Sequence, residues 1–240
     1  MYRIPSLLKG DNRLKLERYR AKTVTVNRRR VYEINGCRYP GVTTILSATK
    51  PAEARKALQQ WRQRVGVETA QKISNKASSA GTRLHKQIAR FLEGQLVDIP
   101  ADVTGYWDSI VPVLEDVSEA WLVEGAVWHD DGYVGFPDAV MTYQGRICLC
   151  DWKTAIKPKK LEWIGDYCLQ VAAYAKAFEQ VYTEAGIEVE GALIAIALDS
   201  TPAQTFWLDR DAVEHHWDHF QQRLDEYYRI RPRYNRHQFR

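Results

Sequence analysis

A chain of 240 residues, 45% of them hydrophobic, is long enough to bury a full core within one domain. It has no uninterrupted apolar run near the roughly 20 residues of a spanning helix, which excludes insertion into a membrane by that route. Net charge is +4, but residues 1–64 hold sixteen Lys or Arg against four Asp or Glu, whereas residues 65–228 hold thirteen against twenty-six. An acidic middle between basic ends suits a polyanion bound by the flanks and a cation held centrally, although charge runs also form plain solvated faces.

The N-terminus, MYRIPSLLKGDNRLKLERYRAK, lacks the apolar core and cleavage site of a secretory signal, and Asp11 and Glu17 argue against a transit peptide. The expectation is a soluble intracellular protein without a membrane partner, its compartment open between cytoplasm and mitochondrion. In RVYEINGCRYPGVTTIL, Asn35-Gly36 lies between β-prone runs and signals a hairpin. AEARKALQQWRQRVG reads as a helix with Ala54, Leu58, Trp61 and Val65 on one stripe and Arg55, Lys56, Arg62 and Arg64 on the other face, stopped near Gly66. SSAGTRLHKQIARFLEG starts with capping-prone residues, carries Leu84, Ile88, Phe91 and Leu92 at helical spacing, and ends at Gly94. VTGYWDSIVPVLEDV is a further helix, interrupted or kinked near Pro112.

From Ser118 three apolar runs, divided at Asp130-Asp131-Gly132 and Gln144-Gly145, predict an antiparallel meander. A long helix follows over LEWIGDYCLQVAAYAKAFEQVY, then strands GALIAIAL and AQTFWL, then the closing helix RDAVEHHWDHFQQRLDEYY. The order predicts an α/β sandwich around a mixed central sheet. No linker or repeat divides it, so residues 1–240 read as one domain, with 1–117 an N-terminal region and 118–240 the sheet core. Of the four cysteines, Cys37, Cys148, Cys150 and Cys168, none is in a C-x-x-C pair, so reduced buried thiols are expected and a zinc or iron–sulfur site is not. Cys148 and Cys150 alternate with Ile147 and Leu149, as in a strand between two packed layers.

GFPDAVMTYQGRICLCDWKTA concentrates the chemistry. Asp151 and Lys153 face the same side of a strand, opposite to Trp152. A hairpin at Gln144-Gly145 brings Asp138 almost opposite Asp151. Two carboxylates so close repel unless a cation lies between them, and a hard divalent ion such as Mg²⁺ or Mn²⁺ fits. Such an ion would activate water for phosphodiester cleavage, with Lys153 steadying the developing charge. Alone, Asp151-Trp152-Lys153 fits a surface salt bridge equally well.

FPD, twelve residues, then DWK resembles the signature of the PD-(D/E)XK nuclease superfamily. GTRLHKQI and QVAAY are similar to the histidine helix and the Gln-x-x-x-Tyr motif of its RecB-like branch. The hairpin, tryptophan helix and AGTRLHKQ look most like the mitochondrial genome maintenance exonuclease family and its phage and bacterial relatives. The resemblance implies a restriction-endonuclease-like fold, a mixed central β-sheet flanked by helices with an N-terminal helical arch. It implies metal ligation by His85, Asp138, Asp151 and the Trp152 backbone carbonyl, more loosely by Glu124, and substrate positioning by Gln170 and Tyr174. A lone His85 is otherwise a packed or solvated side chain, Gln170 with Tyr174 a core-edge pair, and Glu124 a solvated strand residue.

The implied activity is metal-dependent DNA exonuclease action on single strands with free ends. The alternatives are a structure-selective or sequence-specific endonuclease with the same site, or a non-catalytic nucleic-acid-binding relative. No iron–sulfur cluster and no obligate protein partner are expected. Candidate DNA contacts are Arg28, Arg29, Arg30, Arg55, Arg62 and Arg64, with Lys157, Lys159 and Lys160 just after the site. Tyr227, Tyr228, Tyr234 and Phe239, among the C-terminal arginines, offer rings for base stacking.

Overall fold

The computed structural model describes residues 16–231, so Tyr234 and Phe239 lie outside the described residues. Three antiparallel strands come first: β1 (Lys22–Val26), β2 (Arg29–Ile34) and β3 (Cys37–Tyr39). Asn35 (φ 50°) and Gly36 (φ 77°) make the expected β2–β3 turn. The β1–β2 turn uses Asn27 (φ 50°) and Arg28 (φ 62°), where arginine gives no turn signal, and β1 was not expected.

Helices α1 (Val42–Ala48), α2 (Ala52–Val65), α3 (Val67–Leu92) and α4 (Thr104–Glu115) follow. Two expectations change here. VTTIL is helical rather than β, because Val42, Ile45 and Leu46, at helical spacing, all bury against the core. The second helix begins at Val67, not at Ser78: Ser78-Ser79-Ala80-Gly81 lies within α3. Helix α2 occupies its expected span but buries none of its residues, so the Leu58 stripe is no core face. Helix α4 runs uninterrupted through Pro112, whose ring sits on the exposed side.

The remaining elements are β4 (Val117–Val123), β5 (Val127–His129), β6 (Tyr133–Gly135), β7 (Ala139–Tyr143), β8 (Arg146–Ala155), α5 (Gly165–Val181), β9 (Gly191–Leu198), β10 (Thr201–Asp209) and α6 (Arg210–Arg229). The meander is corrected. The first run breaks at Glu124 (φ 50°) and the second at Phe136-Pro137-Asp138, where proline cannot donate to a ladder. β5 and β6 become a separate ribbon, and β4 pairs β7 directly. The central sheet is mixed, in the order β10-β9-β8-β7-β4, with only β8 and β9 parallel among its pairs. Helix α5 is the crossover between those two strands, as parallel neighbours require.

Each face of the sheet carries its own core. Val140, Leu149, Ile194 and Ile196 pack with α1, α5 and α6. Met141, Cys148, Cys150, Trp152 and Leu193 pack with the C-terminal half of α3 and with α4. The alternation along β8 follows from the two-residue strand period, and it buries Cys148 and Cys150 as expected. Among the described residues no helix is long and apolar enough to cross a membrane.

Candidate nuclease site

The ladder between β7 and β8 pairs Ala139 with Cys150 and goes no further, whereas β8 stays paired with β9 as far as Ala155. Residues 151–155 therefore leave one edge free of β7, and the site lies in that notch. Continuing the register places Asp138 opposite Asp151, as the sequence suggested. The Trp152 N–H donates to Asp138 Oδ2 at 2.8 Å across the notch. A strand residue's N–H and C=O point to the same edge, so the Trp152 carbonyl faces the notch too.

Asp151 is 2% exposed. Burial raises its carboxyl pKa first, Lys153 opposes this, and the Asp138 charge adds to the rise. Its Oδ1 accepts from Gln170 Nε2 at 2.9 Å. Oδ2 is held by the Lys153 ammonium in a direct ion pair. Burial works against the charge on Lys153, yet Asp151 and Asp138 outweigh it and hold the ammonium above its usual pKa. Gln170 Oε1 accepts from Lys153 Nζ at 3.3 Å, and the Tyr167 ring lies 4.9 Å below that cation.

Helix α5 carries these supports because positions three and four apart share a face. Gln170 Nε2 also donates to the Tyr174 hydroxyl at 2.9 Å. Tyr174 is buried, its pKa pushed far up by that burial, and it packs so closely on Gly135 that a Cβ there would lie 2.3 Å from its ring. Both motif residues thus act on Asp151 and Lys153 from beneath, and neither is an open surface group. Tyr167 was missed by sequence reasoning, though its spacing of three from Gln170 placed it on the same face.

His85 comes from α3, which passes the end of β8 where Gly81 approaches Thr154. Its Nδ1 lies 3.0 Å from Asp138 Oδ1. Burial pulls the imidazole pKa down, but Asp138, by charge and hydrogen bond, with Asp151 behind it, leaves the net shift upward. Glu124 sits at the margin: its N–H donates to the Asp138 carbonyl, and its half-exposed carboxylate meets Arg18. Burial raises its pKa, Arg18 opposes, and Asp138 adds to the rise. Arg18, also unanticipated, pairs with Glu93 at 2.9 Å and so ties the end of α3 to this margin.

The donors fit a hard divalent cation in kind: two carboxylates, one of them buried, and a strand carbonyl on the same notch. Among the described residues no three His, Cys, Asp or Glu side chains converge as a ligand cage, since His85 and Lys153 lie against the two carboxylates. The fit is to an ion that keeps several waters, as Mg²⁺ does, and not to one needing an all-protein shell.

The expected DNA contacts are dispersed. Arg28 is in the β1–β2 turn, Arg29 and Arg30 are exposed on β2, and Arg55, Arg62 and Arg64 are exposed along α2. Lys157 and Lys160 are exposed after β8, Lys160 over the Trp163 ring at 5.4 Å, while the Lys159 backbone is tied to Gln204. Tyr227 and Tyr228 do not serve as free stacking rings. Tyr227 is buried in the core and Tyr228 donates its hydroxyl to the Gly132 carbonyl, because the closing helix uses them for packing.

Over 198 residues the chain is 34% identical to mitochondrial genome maintenance exonuclease 1 of Xenopus tropicalis, and over 199 residues 32% identical to the protein of that name in Homo sapiens. These alignments cover 78% of this chain but 57% and 58% of the relatives, so the chain spans less than two thirds of their length. No family profile matches the sequence. A crystal structure of a candidate exonuclease from Eubacterium rectale superposes on 63% of this chain and 67% of its own, with a TM-score of 0.45 and 12% identity, a likeness too low to carry an argument.

Proposed function

We propose that this chain, similar over 78% of its length to the mitochondrial genome maintenance exonucleases, is a metal-dependent deoxyribonuclease of the PD-(D/E)XK type, trimming single-stranded DNA from free ends. The observation that carries this reading is the Lys153 ammonium, fixed by Asp151 and Gln170 beside a second carboxylate, Asp138, at the open edge of β8. A purely structural salt bridge needs neither the notch nor the adjoining carboxylate.

Asp138, Asp151 and the Trp152 carbonyl would hold Mg²⁺ or Mn²⁺, with His85, bonded to Asp138, and Glu124 at the margin. A cation so held supplies Lewis acidity toward the phosphate and a lower pKa for its water. Lys153 remains protonated, so it donates hydrogen bonds to the attacking water and to the phosphate oxygen that gains charge. Gln170 fixes the positions of Asp151 and Lys153, and Tyr174 fixes Gln170. Keeping these groups in place before substrate arrives avoids a reorganisation cost during the reaction. Exposed arginines of α2 and the lysines after β8 would guide the strand, and Trp163, 60% exposed, would stack on an unpaired base.

The test is cleavage of end-labelled single- and double-stranded DNA with Mg²⁺, Mn²⁺ or EDTA, alongside Lys153→Ala. Expected is metal-dependent trimming of single strands, slowed at least about 10²-fold by the substitution while thermal unfolding stays cooperative. A circular single strand should survive. Its cleavage would move the reading to an endonuclease, and equal rates for wild type and Lys153→Ala would sink the mechanism.

A further inference from the structure

A cleft of about 430 Å³ opens between β2, α1 and the end of α6, away from the carboxylate notch. Arg29 and Arg30 line one side, Arg231 another, and the exposed or half-buried hydroxyls of Thr43, Thr44 and Ser47 line the wall between. No Asp or Glu is among its described lining residues. Among the described residues none of the three guanidinium groups has an acidic partner, in contrast to Arg18, Arg38, Arg83, Arg210 and Arg223, all of which do. Three arginines thus line one cavity, and an anion placed between like charges turns their repulsion into attraction. Planar guanidinium forks and short hydroxyls match the oxygens of a phosphate, and hydroxyls add donors without adding charge.

The cleft is also linked to the candidate site. Arg30 lies over the Tyr32 ring at 5.6 Å, Tyr32 packs on Phe136 with centroids 4.7 Å apart, and Phe136 is two residues before Asp138. A Cβ on Gly41, at the start of α1, would lie 3.0 Å from the Tyr32 ring, so β2, α1 and the Phe136 segment are packed as one unit. An anion bound at the cleft is therefore held at a fixed offset from the two carboxylates.

We propose that this cleft is a second phosphate-binding site, which grips the backbone of the bound strand remote from the bond being cut. The identity of the phosphate as part of a DNA strand rests on the nuclease reading; the anion site itself rests on the three arginines and the hydroxyls. Such a grip gives the enzyme a preference for strands long enough to span both sites.

The test is a titration in EDTA, where no cleavage intervenes, of a fluorescent single-stranded oligonucleotide with wild type and with Arg29→Ala/Arg30→Ala at several salt concentrations. Inorganic pyrophosphate is added to each protein separately while thermal unfolding is followed. The double variant should bind the strand more weakly, with the slope of log K against log salt shallower by roughly 0.7 for each phosphate that the variant no longer neutralises. Pyrophosphate should raise the Tm of wild type and not that of the variant. Identical slopes and identical Tm responses overturn the site. A Tm response abolished in the variant with an unchanged slope overturns the strand as the ligand and assigns the cleft to a free phosphate compound. Failure of the nuclease reading shows separately, as a wild type that binds but does not cut with Mg²⁺ or Mn²⁺.

Discussion

Gln170 uses both ends of its amide: Oε1 accepts from Lys153, while Nε2 donates to Asp151 and to Tyr174. Removing it leaves a buried carboxylate oxygen and a lysine each short of a partner, a loss of about 1–3 kcal/mol. Gln170→Ala should therefore lower the urea midpoint and slow DNA cleavage together, and an unchanged cleavage rate would remove it from the site. The thiols give a second check at this scale. Burial pushes Cys148 up to about 12 and Cys168 to about 11, and holds Cys150 well above its usual range. A raised pKa leaves the unreactive protonated thiol dominant at neutral pH. A thiol reagent should then label Cys37, the one cysteine with partial exposure, rapidly in the native protein, and the other three only after denaturation.

At the scale of the element, α3 best shows what pattern alone misses. Ser78-Ser79-Ala80-Gly81 has the composition of a helix start, yet α3 passes straight through it. The burial of Leu84, Ile88, Phe91 and Leu92 outweighs the roughly 1 kcal/mol that one glycine costs inside a helix. A Cβ at Gly81 would meet Thr154 Oγ1 at 3.5 Å, ordinary contact. Gly81→Ala is accordingly expected to stabilise the protein by about 0.5–1 kcal/mol in urea unfolding. A destabilised variant would mean that α3 and β8 lie closer than this. The hairpins at Asn35-Gly36 and Gln144-Gly145 were legible because two consecutive positive φ values select those residue pairs. The turn at Asn27-Arg28 was not, since its second residue adopts the same conformation against preference.

For the whole molecule, the carboxylate notch predicts that a bound cation adds stability by mass action. Mn²⁺ should raise Tm in a concentration-dependent way, by about 2.7 kcal/mol of stabilisation at a hundredfold excess over Kd. Asp151→Asn should abolish that increment, and an equal rise in both proteins would place the ion elsewhere.

The sequence by itself determined the two-residue alternation of β8, the common face of Gln170 and Tyr174, and the pairing of Asp138 with Asp151, all of which follow from local periodicity and a two-residue turn. Only the tertiary structure decided that His85, 53 positions before Asp138, contacts it, that β4 skips past β5 and β6 to pair β7, and that Arg29, Arg30 and Arg231 face one cleft. Those arrangements depend on which apolar faces bury against each other across the whole chain. Spacing along the sequence carries no record of that choice.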